Sequence, residues 1–226
     1  MTTQRKPARM LSILVKLLLL AAGTMGQWAT LTGPGMMHGR ALMYFTTQSN
    51  LLVMALAMVF LAYDIMGARP VPGWLWLLKY MATVAITLTY LAFHVLLMPW
   101  MHSIGMGDYY WSAGNMGAHV LTPLLAIVDW ALFTPGEHAT RARPAHGLVL
   151  PLCYAGFLLI ANIAGLPFAG GAQAPYFFVD VQANGWFSLG NGRVGIIWWM
   201  LLIAGLILLI GQAVRHLPRQ EDAAAG

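Results

Sequence analysis

Residues 41–65 read ALMYFTTQSNLLVMALAMVFLAYDI. The stretch is 25 positions long and holds one formal charge, Asp64. About 20 apolar residues suffice to cross a bilayer as a helix, so it reads as a transmembrane span. Five further runs of the same kind give expected spans at Met10–Leu31, Trp74–Pro99, Ala113–Phe133, Gly147–Leu166 and Val194–Val214, beside Ala41–Ile65 itself. The whole chain, 1–226, is 59% hydrophobic and 8% charged, against roughly 25% charged in soluble domains. The expected fold is all-α: one polytopic membrane domain of six transmembrane helices with short basic tails. The first run follows Arg5, Lys6 and Arg9, as a signal peptide would. It is longer than a signal's apolar region, and no small-x-small cleavage site follows, so it is read as a retained span.

Charge sets the expected orientation. Arg5, Lys6, Arg9, Arg69, Arg141, Arg143, Arg215 and Arg219 fall on one side of the six spans, and only Arg40 and Arg193 on the other. Basic loops stay on the cytoplasmic side, which places both termini in the cytoplasm of a multi-pass plasma (inner) membrane protein. The net charge of +5 then belongs to flanks that meet anionic lipid headgroups. No aromatic-basic interleaving points to nucleic acid. The one cysteine, Cys153, lies in an apolar run and has no partner for an internal disulfide. No inverted repeat of the transporter kind is visible.

Two polar clusters interrupt these spans. Thr46-Thr47-Gln48-Ser49-Asn50 stands near the start of the second, and Asn115-x-Gly117-x-His119 near the start of the fourth. Both spans run in the same direction, so the clusters are expected at matching depth, one to two turns into the outer leaflet. Hydroxyls in membrane helices commonly bond to their own backbone, but five polar residues in a row exceed that need. Pro123, one turn after His119, weakens the helix there. His94, near the outer end of the third span with Tyr90 one turn below, reaches a similar level. It either lines the pocket, orients His119 or bonds across helices. Asp64 and Asp129 belong near the opposite face, Asp129 roughly 15 Å from His119. They read as capping groups, or as partners of Lys79 or a neighbouring basic loop.

A hydroxyl and an imidazole at one depth are the minimum parts of a hydrolase. Imidazole accepts the hydroxyl proton near neutral pH, and Asn50, Asn115 or Gln48 can donate to the resulting oxyanion. Ser49 is a further hydroxyl. No GxSxG elbow, HExxH helix or Walker loop is present. The outer loop Trp100–Ser112 reads as an aromatic belt. The longer one, Pro167–Arg193, reads either as a cover over an outer-leaflet pocket or as an ordinary interfacial loop.

At these residues the chain resembles the androgen-induced-gene/FAR-17a-like six-span membrane proteins and their bacterial relatives. Three motifs carry the resemblance in order along most of the chain: Tyr44-Phe45-Thr46 leading into Ser49-Asn50-Leu51-Leu52, Asn115-x-Gly117-x-His119 followed by Pro123, and Tyr176-x-Phe178-Val179-Asp180. The resemblance implies a cofactor-free threonine hydrolase of fatty acid esters of hydroxy fatty acids, with a histidine base. The Tyr-Phe-Thr context selects Thr46, whereas the vertebrate threonine-to-Asn spacing selects Thr47. Pro123 also follows His119 by four residues rather than the vertebrate five. Two rival readings accompany it: a non-catalytic carrier of a lipid or small molecule, and a haem-b protein using His94 and His119 as axial ligands. The orientation is tested by a reporter fused after Gly226, which is expected to report from the cytoplasm. A signal from the opposite side inverts the assignment.

Overall fold

The computed structural model describes residues 6–33, 39–67, 70–190 and 192–218. Arg5, Arg69 and Arg219 of the charge count lie outside them. Six helices are long and apolar enough to span a membrane, making the chain a multi-pass membrane protein: α1 Lys6–Leu31, α2 Phe45–Met66, α3 Gly73–Ser103, α4 Ala113–Phe133, α5 Pro144–Ile163 and α6 Ile196–His216. Helices α2, α4 and α6 start at one face, here the far face, and α1, α3 and α5 start at the near face. Among the described residues, strand is confined to a two-residue antiparallel pairing of Leu189–Gly190 with Arg193–Val194.

Helix α2 begins four residues later than the apolar run suggests. Arg40–Met43 form a separate 3-10 turn, and Tyr44 is extended (φ −94°, ψ 137°). The cluster Thr46–Asn50 is therefore the opening of the helix rather than a stretch one to two turns inside it. Polar residues suit that position because the first amides of a helix have no intrahelical acceptor. Helix α4 starts where expected, at Ala113, with Ser112 as N-cap: its hydroxyl accepts from the Asn115 amide at 3.3 Å.

Two apolar clusters knit the bundle. Leu19, Val53, Leu56, Phe60, Trp76 and Ile86 join α1, α2 and α3, with Ala126 added from α4. Tyr80, Val84, Trp130, Ile207, Ile210 and Val214 join α3, α4 and α6. In the second cluster, two ring donors hold the near end of α6. The Tyr80 hydroxyl donates to the Gly211 carbonyl and the Trp130 indole to the Val214 carbonyl, both at 2.8 Å. Hydrogen bonds of this kind matter where no water competes for the carbonyl.

Toward the near face, four helices meet through charge. Lys16 of α1 contacts Asp64 of α2 at 3.0 Å and Asp129 of α4 at 2.7 Å, and Lys79 of α3 contacts Asp129 at 2.6 Å. The Ser12 hydroxyl accepts from Lys16 and donates to Asp64 at 2.7 Å. The Lys79 ammonium also lies over the Phe60 and Trp76 rings, 4.6 and 5.4 Å from their centroids. Arg9 donates to the Asp64 and Ile65 carbonyls at the C-terminal end of α2. The expected pairing of an aspartate with Lys79 is present. The partner of Asp64 is Lys16, an in-span lysine to which the sequence reading gave no role. Two lysines and two aspartates leave the set formally neutral, which makes its burial tolerable. Removing one partner leaves a buried charge uncompensated, at a cost of about 3–5 kcal/mol. Asp129→Asn is therefore expected to lower the thermal unfolding midpoint in detergent sharply, while any folded fraction keeps its far-face chemistry. An unchanged midpoint would show that the lysines lose their charge readily.

Candidate functional site

A cavity of about 610 Å³ occupies the far half of the bundle. Apolar side chains such as Leu88, Ala92, Leu96, Leu158, Met200 and Ile203 form most of its wall on α3, α5 and α6. Its polar groups are few: Thr46, Thr89, His119, Tyr154, Asn162, Gln173 and Tyr176. Phe168, Tyr176, Phe178, Val179 and Trp186 also line it, so the connection from α5 to α6 forms its far end. The start of α5 is pinned, since a Cβ added to Gly147 would lie 2.8 Å from Val84. Beyond that end much of the helix is exposed, with Tyr154 and Ala161 its buried positions. Leu152, Leu159 and Met200 both line the cavity and remain exposed on the outside. Exposed apolar wall at membrane depth is where acyl chains lie, so this side of the cavity faces lipid.

The structure sorts the polar cluster of α2. Thr46 faces the cavity. Thr47 is 1% exposed and is not among the lining residues. Consecutive helical residues point about 100° apart, so the two cannot share one outlook. Ser49 bonds to the Thr46 carbonyl at 3.1 Å and to the Thr89 hydroxyl at 3.0 Å. Asn50 gives its side-chain N–H groups to the Thr46 carbonyl at 2.8 Å and the Ala118 carbonyl at 3.0 Å. Asn115 donates to the Tyr109 carbonyl at 2.8 Å, and Gln48 to the Leu42 carbonyl at 2.9 Å. The three amides expected as oxyanion donors are thus engaged by backbone carbonyls, and none lines the cavity. Asn50 instead ties α2 to α4 between the residues that bear on the site.

His119 lines the cavity, stacked on the buried Phe93 ring with centroids 4.0 Å apart. Its Nδ1 has no hydrogen-bond partner among the described residues. Asp64 and Asp129, held by lysines in the other half, do not reach it. Both candidate histidines sit in π-helical turns, His94 in Phe93–Leu97 and His119 in Met116–Leu121. The Met98 amide donates to the Phe93 carbonyl and the Thr122 amide to that of Gly117, each five residues back. Pro99 and Pro123 follow directly and lack the N–H that would continue the α register. Such bulges re-aim a side chain and recur at functional sites. Pro123 was the legible half of this signal, and Pro99 the missed one.

His94 is not a lining residue. Its Nδ1 bonds to the Tyr90 carbonyl at 2.7 Å and its Nε2 to the Tyr110 hydroxyl at 3.4 Å, so it bonds within its own helix and to the aromatic loop. Phe93 stacks on His119 and meets His94 edge-on at 5.3 Å. A haem between the two imidazoles does not fit that arrangement, and His94 has no face on the cavity.

The loop motif packs against the start of α2. Tyr176 lies edge-on to Tyr44 at 5.9 Å and parallel to Phe178 at 5.3 Å. The Tyr44 hydroxyl accepts from the Ala169 amide at 3.2 Å. Burial pushes the Tyr176 phenol above its ordinary pKa, while the Thr46 side chain and the backbone of Thr46 and Phe45 beside it oppose the shift. Asp180 has a local task, its carboxylate accepting from the Ala183 amide at 3.0 Å as an N-cap. Tyr154 approaches from α5, its hydroxyl donating to the Met43 carbonyl at 3.0 Å and its ring 5.2 Å from Phe45. Nothing in the apolar run around Tyr154 distinguished it beforehand. No protein-family model, curated protein or solved structure matches the chain.

Helix α4 is set close to α1 through glycine. A Cβ on Gly117 would lie 2.6 Å from the Gly26 Cα, and one on Gly26 would lie 2.5 Å from the Ala118 nitrogen. Backbone cannot yield as a flexible side chain does, so Gly117→Ala must part the helices two residues from His119. The expected cost is about 1–3 kcal/mol, read as a lower unfolding midpoint in detergent. Gly205→Ala, with nothing within 4 Å of the added carbon, is the matched control and should leave the midpoint unchanged. Equal midpoints for both variants would show that the crossing relaxes freely.

Proposed function

We propose that this chain is an integral membrane hydrolase of lipid esters, with Thr46 as nucleophile and His119 as general base. One observation carries the reading: Thr46 and His119 share a largely apolar cavity whose α5 and α6 wall includes residues exposed on the outside. In the orientation that the loop charges favour, the cavity belongs to the outer leaflet of the plasma (inner) membrane, with both termini cytoplasmic. An ester enters from the bilayer with its acyl chain along α5 and α6. The imidazole accepts the Thr46 proton as the hydroxyl oxygen adds to the carbonyl carbon, then returns that proton to the departing alcohol. Water repeats the sequence on the acyl-threonine. No cofactor enters this scheme. Fatty acid esters of hydroxy fatty acids are the substrate class that the family resemblance suggests.

A second reading, a non-catalytic lipid carrier, is favoured by the His119 Nδ1, which meets no carboxylate among the described residues. An unoriented imidazole is a weaker base than one held by a third group. Turnover of a fluorogenic lipid ester, together with labelling by a fluorophosphonate probe, separates the two. For the hydrolase, Thr46→Ala and His119→Ala each lose at least about 10²-fold in turnover. Thr47→Ala keeps its activity, because that side chain points away from the cavity. Loss in Thr47→Ala with retention in Thr46→Ala reverses the assignment of the nucleophile. A wild type with neither turnover nor label makes the carrier the better reading.

A further inference from the structure

We propose that Tyr176 is a catalytic residue of this site, its phenolic hydrogen donated to the oxyanion that forms when Thr46 attacks the ester. The inference rests on the hydrolase reading and gives the loop residue a chemical task beyond covering the cavity. An acyl transfer needs a donor aimed at the carbonyl oxygen as negative charge develops there. The side-chain amides nearest in sequence are unavailable, since Asn50, Asn115 and Gln48 all donate to backbone carbonyls. Among the cavity's polar groups, Tyr176 lines the wall beside Thr46, its ring edge-on at 5.9 Å to Tyr44, two residues before Thr46. Tyr154 is close by, but its hydrogen is directed to the Met43 carbonyl.

The Tyr176 ring is held rather than loose. Tyr44 meets it edge-on, Phe178 stacks at an interplanar angle of 3°, and the Asn184 amide secures the loop by donating to the Phe177 carbonyl at 2.6 Å. A donor fixed before the reaction needs no reorganisation during it. The phenol also lies at the N-terminal end of α2, where the free amides create a positive potential. That potential strengthens an O–H donor and favours the oxyanion it serves. In the step, the Thr46 oxygen–carbon bond forms, the hydroxyl proton passes to His119, and the carbonyl π pair moves onto the oxygen held by Tyr176. Collapse returns that pair, expels the alcohol and recovers the proton from His119.

The test is Tyr176→Phe, which keeps the ring and its stacking. It is expected to lower kcat by about 10²-fold with little change in KM, and to weaken binding of a lipid trifluoromethyl ketone, whose hemiketal oxyanion occupies the same place. Tyr109→Phe, at an exposed tyrosine of the far-face loop that does not line the cavity, should retain kcat. Fluorotyrosine incorporated at position 176 preserves the shape should the phenylalanine variant fail to fold, and kcat should then vary with phenol acidity. Wild-type kcat and ketone affinity in Tyr176→Phe, or a kcat indifferent to fluorination, overturn the role of Tyr176. If Thr46→Ala is inactive in the same series, the hydrolase reading stands without it. A wild type that neither turns over the ester nor binds the ketone overturns both.

Discussion

The first four helices of this bundle are registered by the alternating line Asp64–Lys16–Asp129–Lys79. It touches each of the first four spanning helices once, so it fixes their rotation as well as their neighbours. An apolar helix in lipid gains little from turning any particular face to its partner, because lipid tails are as apolar as leucine. A charge in the same medium permits one answer only: the face that finds a counter-charge. The set contributes little net stability against a hydrophobic replacement. What it supplies is registry, and the far-face site inherits that registry along four rigid rods.

The second constraint is backbone proximity at the far end. Gly26 and Gly117 bring α1 and α4 into contact, and Asn50 bridges α2 and α4 from the other side. Together they hold the π turn that carries His119. A bulged turn in an otherwise regular helix costs hydrogen-bond quality. Here Pro123 has already removed one donor, and the stacked Phe93 fills the space beside the ring.

The six spans were legible because length and hydropathy suffice to define them, and the sense of each span follows from counting. Helix ends were less so. Tyr44 turns extended where the apolar run continues, and only backbone geometry reveals that Thr46 is an opening residue. Which of Thr46 and Thr47 faces the cavity was not legible, since it depends on the rotation of α2, which distant lysines and aspartates set. The same holds for the amides. Asn50 reads as a free donor in a string of letters, and the acceptor that engages it, Ala118, lies 68 residues away. Tyr176 was visible as part of a motif, but its neighbour Thr46 is reached only by folding the last far-face loop back over the second helix.

Helix α5 gives the molecule an unfinished wall. It is fastened at Gly147 and again through Tyr154, and between and beyond these points its leucines look both into the cavity and out of the protein. On the proposed reading, part of the chamber is closed by whatever acyl chains lie alongside. The host bilayer would then be a component of the site, with its thickness, saturation and lateral pressure shaping the cavity as side chains do elsewhere. A detergent micelle builds a different chamber around the same residues.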